Sequence, residues 1–492
     1  MKASIVGAAL AAVVVFAATA SGAPPTVTLA SPGGTPFAGC TADQAAAQQA
    51  AGSVLYPGAE IEPRSARFGP NIVGEYQQDR WSDGGARGLV TSVSHDNGAT
   101  WHRVVVPGIS ACSGGEFFRT SDPWVSFAPN GDLYQIALSF VGNPNPNHNA
   151  ILVSKSTDFG ETWSDPIAVA DDNTNGLDKQ SITADPTNSN YVYAAWDRFI
   201  TPGGSTHAGD QGIINSRSFK QQTFFTRSTN GGQSWEEPQQ INVTSSFSGS
   251  IGSIIRVLGD GHTLLDALQT FGKHAPEGGP CGSVSILRSP DRGVTWVNKA
   301  TIVAPFTCTY VGAHNPDSGV LVRSGGLPDI AVDGQNAYVT WEDATPSEPR
   351  RGHIFFSQST DGGLTWSTPI IISHTTGTVD AFVPTIEVNS NHVVGVNYYD
   401  FRNNTSTDGI AATDLWLTTC SGSCASAASW SSETRVTPDS FDMSAAPVAR
   451  GQFVGDYMGM TTNDTTFEPF FIQSGTPPVA DGPTDAFFAS VP

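Results

Sequence analysis

Residues Ser94–Trp101 read SHDNGATW, and the chain returns to this phrase four times: STDFGETW at Ser156–Trp163, STNGGQSW at Ser228–Trp235, SPDRGVTW at Ser289–Trp296 and STDGGLTW at Ser359–Trp366. The copies share the frame S-x-D-x-G-x-T-W, with Asn230 in place of Asp in the third. They begin 62, 72, 61 and 70 residues apart. Such spacing is produced by one supersecondary unit repeated about or along an axis. The residue types describe a folded turn. Gly98, Gly160, Gly232, Gly293 and Gly363 mark one backbone position per copy that calls for positive φ. The Asp two residues earlier accepts turn N–H groups, and the Ser and Thr hydroxyls close the same knot. The Trp opens the outgoing strand as an apolar plate to pack between sheets. A strand-like apolar run precedes each copy (GLVTSV, AILVSK, TFFTRS, SVSILRS, HIFFSQ), so the unit reads as strand, turn, strand.

This frame resembles the Asp-box repeat of the sialidase (neuraminidase) superfamily, and the repeats run from about Glu62 onward. The resemblance implies an all-β fold: a sialidase-type β-propeller of four-stranded blades, with each box joining third and fourth strands away from the active centre. The boxes are therefore scaffold. Inner-strand patterns recur seven times, in NIVGEYQQDRW, DPWVSFAPNGDLYQIALSF, KQSITADPTNSNYVYAAWDRF, SIIRVLGDGHTLLDALQTF, PDIAVDGQNAYVTWEDA, FVPTIEVNSNHVVGVNYYDFRNN and GDYMGMTTNDTTFEPFFIQ. Seven blades are the preferred count and six the alternative. The sixth unit has a worn box around Ser421–Trp430, its turn replaced by the Cys420/Cys424 pair, and the seventh has none. Residues 1–23 read as a secretory signal, 24–61 as a lead-in with a short helix near Ala42–Ala51, and 62–492 as one propeller domain.

Lys2 followed by IVGAALAAVVVFAATA and small residues carries the signal reading. No later stretch has the 18 consecutive apolar residues of a membrane span, so a secreted chain without one is expected. Cys40, Cys112, Cys281, Cys308, Cys420 and Cys424 fit an oxidising compartment. Fifteen pairings are open; proximity favours Cys281–Cys308 and Cys420–Cys424, leaving Cys40 for Cys112. Sequons stand at Asn242, Asn403, Asn404 and Asn463. With 24 basic against 45 acidic residues the net charge is −21. That field repels nucleic acid and anionic membranes, and it makes an anionic sugar harder to bind unless arginines are focused locally.

For function, the resemblance implies three arginines on a sugar carboxylate, a Tyr nucleophile with a Glu partner, and an Asp acid/base. The chemistry explains each demand: a forked guanidinium matches a carboxylate, a phenol needs a neighbouring base to attack, and leaving-group protonation needs a carboxyl of raised pKa. Asp83, in the loop before the first box, is the candidate acid. Arg64 and Arg67 stand near the first inner strand, without the family's Arg-Ile-Pro motif. Arg80, Arg198 and Arg402 sit at acid-aromatic strand ends, and Arg256, Arg323 and Arg450 open later units. Tyr399 and Tyr457 are candidate nucleophiles, beside Tyr398, with Glu342 the candidate partner. Trp81, Trp124 and Phe199 suit sugar stacking. An acid also follows the aromatic strand in several units (Asp79, Asp197, Glu342, Asp343, Asp400). It is read as a capping contact to the neighbouring blade, with a calcium-binding ring of carboxylates the alternative. No metal or other cofactor is required. The expectation is a secreted, monomeric, sialidase-like retaining exo-glycosidase acting on glycoconjugates; the alternative is a non-catalytic propeller that binds glycans or proteins.

Overall fold

The computed structural model describes residues 23–142, 148–200, 220–242, 248–272, 282–307, 310, 312–324, 326–405, 407–475 and 482–492. The expected signal and the Cys281–Cys308 pair lie outside them. Among the described residues no helix is long and apolar enough to cross a membrane.

Apolar runs separated by Gly, Asn and Asp turns make the chain almost wholly β. A first strand, β1 (Thr26–Leu29), is followed by a short helix, α1 (Ala45–Ala50). Then come β2 (Leu55–Phe68), β3 (Asn71–Trp81), β4 (Ala86–Ser94) and β5 (His102–Val105). Next are β6 (Arg119–Phe127), β7 (Leu133–Phe140), β8 (Asn149–Ser156) and β9 (Ile167–Asp172). The pattern continues with β10 (Gly176–Ala184), β11 (Val192–Ile200), β12 (Lys220–Ser228) and β13 (Gln239–Gln240), then β14 (Gly249–Val257), β15 (Leu264–Phe271), β16 (Gly282–Ser289) and β17 (Thr301–Pro305). After these come β18 (Asp329–Asp333), β19 (Asn336–Thr345), β20 (Glu348–Ser359) and β21 (Ile370–Ile371). The last strands are β22 (Ala381–Val388), β23 (Val394–Asp400), β24 (Ala412–Cys420), β25 (Ser432–Arg435), β26 (Phe441–Asp442), β27 (Gly459–Asn463), β28 (Thr466–Ser474) and β29 (Thr484–Ser490).

Consecutive strands pair antiparallel into four-stranded meanders. A bridge at Ala86–Thr120 joins the first two of these, and β26 adds to β24. The leading strands touch in series: β2 lies against β6, β6 against β10, then β14, β18, β22 and β27, and β27 lies against β2 again. The last meander, β27–β28–β29, takes its fourth strand from the other end of the sequence. β1 pairs with β29 in the register Thr26↔Ser490 to Leu29↔Phe487. The segment read as a lead-in thus supplies sheet at both ends, since β2 starts at Leu55. The pairing also explains why the last unit has no box: no turn runs from β29 to its outer neighbour.

All five boxes join a third strand to a fourth, as the resemblance implied. In the first, Ser94 Oγ accepts from Gly98 N–H (2.9 Å) and donates to Asp96 Oδ1 (2.9 Å), while Asp96 accepts from the amide (2.9 Å) and hydroxyl (2.6 Å) of Thr100. The Asn230 copy keeps the geometry, its amide donating to Ser234 Oγ at 2.8 Å. The turn takes two left-handed residues, not one: Asn97 (φ 60°) before Gly98 (φ 82°), Phe159 before Gly160, Arg292 before Gly293. Each box glycine lies against a side chain of the preceding unit, namely Phe488, Val73, Tyr134, Phe225 and Leu265 in turn. The repeat therefore encodes a joint between units as well as a turn. In the sixth unit the Cys420–Cys424 disulfide and buried Trp430 stand in for it, Trp430 Nε1 donating to Cys424 O (2.9 Å). Cys40–Cys112 fixes the segment before β2 to the loop before β6.

Gly98→Ala places a methyl group in the Phe488 ring at positive φ. The left-handed penalty and overpacking together predict a loss of about 2–5 kcal/mol in urea unfolding. The Thr100 and Thr365 hydroxyls and amides hold Asp96 and Asp361 down to about 2. A depressed folded value contributes stability above the ordinary aspartate range and loses it as pH falls through the folded value. The thermal midpoint should therefore drop between about pH 4 and pH 2, and less steeply in an Asp96→Asn/Asp361→Asn variant.

Candidate functional site

The leading strands carry a second repeat. In β2, β6, β10, β14 and β22 the register slips at a matching point, between Ile61 and Arg64, Ser121 and Trp124, Asp178 and Ser181, Ile251 and Ile254, and Phe382 and Thr385, and β2 slips again nearer its start, between Tyr56 and Glu60. A left-handed residue sits in each matching slip: Glu62 (φ 52°), Asp122 (φ 54°), Lys179 (φ 47°), Gly252 (φ 80°) and Val383 (φ 49°). Four of these are not glycine, and each such residue costs roughly 1–2 kcal/mol, with β-branched Val383 the least suited. Bulges of this kind re-aim side chains and gather at functional sites. Three precede proline (Pro63, Pro123, Pro384), which is tolerated in a strand at a bulge because it owes the ladder no N–H.

Two of the acids that follow the aromatic strands each hold one of these bulges in place, whereas Asp79 accepts from Gly58 of its own unit and Asp400 from Arg402. Asp197 accepts from Gly252 N–H at 2.9 Å and Glu342 from Val383 N–H at 3.0 Å. Each is a contact from one unit to the next, as the capping reading of that regularity expected.

The bulges lie in the starting halves of the leading strands, away from the boxes, and they bring charge together at the ring's centre. Lys179 Nζ meets Asp456 Oδ2 at 2.7 Å, Glu62 Oε1 at 3.1 Å and Asp122 Oδ1 at 3.2 Å. An ammonium has three N–H groups, and here each finds one carboxylate. Arg323 Nη2 adds to Asp456 Oδ2 at 2.8 Å. Gln77 donates to Glu62 and accepts from Arg80 (2.7 Å), and the guanidiniums of Arg80 and Arg323 both lie over the Phe453 ring.

Glu62, Asp122 and Asp456 are buried, Asp178 beside Lys179 is half-buried, and their environments push the four apart. Desolvation, with Asp122 and Asp456 nearby, raises Glu62; desolvation and Asp122 raise Asp178. Although burial opposes it, the Lys179 charge and donated hydrogen bonds hold Asp122 low, and Arg323 with Lys179 hold Asp456 low. The cluster thus sets carboxyls of raised proton affinity, Glu62 and Asp178, beside carboxyls held low, Asp122 and Asp456, a separation of the kind acid/base chemistry uses.

A small, half-open pocket adjoins this cluster and is lined by Trp124, Lys179, Gln180, Leu327, Asp456 and Tyr457 among others. Asp456 Oδ1 and Gln180 Oε1 are buried with no hydrogen-bond partner in the structure. Unpaired buried acceptors cost about 1–3 kcal/mol each, so both are poised for a donor. Trp124 is held between the Arg64 guanidinium (3.9 Å) and the Tyr457 ring (5.4 Å).

The expected site residues fall in several places. Tyr457 belongs to the pocket wall and donates to Pro123 O (3.1 Å), while Arg64 lies outside the lining, over Trp124 and paired with Asp329 (3.3 Å). Arg80 is in the central cluster. Glu342 borders it: burial pushes its carboxyl to about 8, and it accepts from Ser324 Oγ (2.6 Å) and from the Tyr310 hydroxyl. Tyr310 was not among the expected tyrosines. Asp83 lies in the β3–β4 turn, where it meets Arg119 (2.8 Å) and Ser53 (2.8 Å).

Tyr399 is core: its hydroxyl donates to Ile472 O and accepts from Ile472 N–H, which withdraws it from the nucleophile role read from sequence. Arg67 lies at the box end, held by Glu468 and Asn97, so it is removed from the expected sugar-binding group. Arg198 pairs with Asp172, and Arg402 with Asp400 and Glu433 over the Trp416 ring; neither joins the central cluster. Trp81 is buried beneath Arg119. The sulfurs beside Asp43 form the Cys40–Cys112 disulfide, and Asp43 pairs with Arg87.

No family model and no curated protein sequence matches the chain. Among solved structures it is similar to the Hadza microbial sialidase Hz136, at 16% identity and a TM-score of 0.47, over 85% of this chain and 73% of that one. It is similar also to the K499G mutant of NanB sialidase from Streptococcus pneumoniae, at 11% identity and 0.45, over 89% and 94%. A third is the Penicillium chrysogenum alpha-L-arabinanase, at 14% identity and 0.45, over 70% and 92%.

Lys179→Met leaves three buried carboxylates without their cation. Unpaired buried charge predicts a loss of about 3–5 kcal/mol in urea unfolding at pH 7. The loss should shrink at pH 5 as the freed carboxyls take up protons.

Proposed function

We propose that the chain is a seven-bladed β-propeller working outside the cell as a sialidase-like glycoside hydrolase, exo-acting on terminal sugars with retention. The observation that carries this reading is the pocket at the ring's centre, where Asp456 keeps a buried Oδ1 without a partner beside Glu62, whose carboxyl burial raises. In this reading Asp456 stabilises or attacks the developing oxocarbenium centre, and Glu62 is the proton reservoir for the leaving oxygen. Tyr310 and Glu342 are a phenol–carboxyl pair at the edge of the same network, and Trp124 is a stacking plate. Asp83 remains a candidate acid in the neighbouring turn. Closure of the leading strands into a ring supports seven blades in one domain, and the two described disulfides support an extracellular setting.

The pocket favours a sugar that donates hydroxyls over one that presents a carboxylate. Its acceptors are free, whereas Arg64 and Arg323 are engaged by Asp329 and Asp456. The second reading, a non-catalytic propeller that binds glycans or proteins, is favoured by one observation: Glu62, Asp122 and Asp456 are each already engaged by Lys179 in ion pairs.

A panel of fluorogenic glycosides (α-sialoside, α-L-arabinofuranoside, β-galactoside, β-glucoside) separates the two. Hydrolysis of a neutral glycoside is expected, with kcat lowered about 10³-fold or more in Asp456→Asn and less in Tyr310→Phe, Glu342→Gln or Asp83→Ala. No turnover of any glycoside, together with glycan binding that Asp456→Asn abolishes, would replace the enzyme by the binding protein.

A further inference from the structure

One of the four acids in the central cluster reaches solvent. Glu62, Asp122 and Asp456 are 1%, 3% and 4% exposed, whereas Asp178 is half-buried. β10 starts at Gly176, so Asp178 stands nearer the strand's start, away from the boxes, than Lys179 and Gln180 do. Those two residues line the pocket, which puts Asp178 at its rim. Asp178 also opens the register slip that holds Lys179 in left-handed backbone.

That slip makes two carboxyls share one donor. The backbone N–H of Lys179 donates to Asp178 Oδ1 at 3.0 Å and to Asp122 Oδ2 at 3.4 Å. Two carboxylates converging on one hydrogen repel, so ionisation of one favours a proton on the other. Asp122 has the stronger claim to the charge, because its Oδ1 also accepts from Lys179 Nζ at 3.2 Å. The Lys179 ammonium is taken up by Glu62, Asp122 and Asp456, and Arg323 pairs with Asp456. Among the described residues Asp178 is therefore left without an ion pair. Burial and the Asp122 charge raise its carboxyl, opposed by the charges of Lys179 and Arg323, and Asp197 faces it from β11. Asp83, by contrast, is tied to Arg119, and that pair holds it low although burial opposes it.

We propose that Asp178 is the proton donor of the site, handing its hydrogen to an oxygen of the bound sugar, and that Asp122 keeps the hydrogen there beforehand. This role presupposes the glycosidase reading of the pocket. As the glycosidic bond breaks, the Asp178 O–H bond breaks with it. The proton goes to the glycosidic oxygen, which keeps the electron pair of the C–O bond and departs as an alcohol. Asp178 is left ionised. A water that then attacks the sugar carbon gives its hydroxyl to the sugar and its proton back to Asp178. Glu62, sealed beneath Lys179, acts only from behind this residue.

The test compares two glycosides of the sugar that the unaltered chain hydrolyses best: a phenyl glycoside, whose leaving group needs a proton, and a 2,4-dinitrophenyl glycoside, whose leaving group does not. Asp178→Asn should lower kcat/KM on the phenyl glycoside about 10³-fold and on the dinitrophenyl glycoside less than about tenfold. The basic limb of the pH profile should vanish in Asp178→Asn. It should move to lower pH in Asp122→Asn, where no neighbouring charge keeps the proton on Asp178. Added azide should speed Asp178→Ala on the dinitrophenyl substrate, with a glycosyl azide as product. An amide can donate as the acid does, so circular dichroism of Asp178→Asn should match the unaltered chain. Equal losses on both substrates, or a basic limb that stays in place, would overturn the donor role and leave the hydrolase standing. No turnover of any glycoside by the unaltered chain would remove both.

Discussion

The joint at each box is what the rest of the molecule depends on. A serine hydroxyl, a carboxylate and a threonine together satisfy the amides of a turn that would otherwise stand open, and the turn then presents a bare glycine to the unit before it. Each hydrogen bond contributes on the order of 1 kcal/mol. Their larger effect is geometric, because a side chain at the glycine would push neighbouring sheets apart. Aromatic and branched residues of the preceding unit fill that space instead, so the angle between sheets is set five times by the same chemistry.

Fixing the outside in this way lets the inside carry strain. The leading strands hold residues in left-handed backbone at five bulges, and glycine accepts only one of them without cost. The compensation is local: Asp197 and Glu342 each accept a bulge amide of the next unit, while Lys179 gathers three carboxylates from neighbouring strands. The bulges are tolerable because the surrounding sheets over-determine them, and they aim polar side chains at the centre of a ring that would otherwise be lined by an ordinary strand face.

Much of the scaffold was legible in the sequence. The boxes, the runs before them and the worn sixth copy with its cysteines all take their meaning from near neighbours in the chain. The two left-handed positions per box were only half visible, because Asn97, Phe159 and Arg292 do not announce positive φ as glycine does. The site was less legible for a physical reason. Lys179, Glu62 and Asp122 belong to three different strands and Asp456 to the segment before β27, tens to hundreds of residues apart, and only closure of the ring brings them together. Tyr310 escaped notice because its partner Glu342 lies on a different element. One local signal was there to be read: Glu62-Pro63, Asp122-Pro123 and Val383-Pro384, each a proline inside a strand. The absence of a box in the seventh unit was visible in the sequence, and its cause, the pairing of β29 with β1, was not.

That connectivity reaches into how the protein comes to exist. The pairing of β1 with β29 joins segments more than 450 residues apart, and contacts of such separation are slow to form. During synthesis each meander can be completed soon after its strands emerge, yet the final sheet must wait for almost the whole polypeptide. Until then the first and last meanders expose unpaired edges, which invite association with other chains. Confinement of the early segment by the Cys40–Cys112 bond holds β1 near the first meander in that interval. The disulfide thus has a temporal as well as a structural value, keeping the latch beside the door before there is anything to fasten.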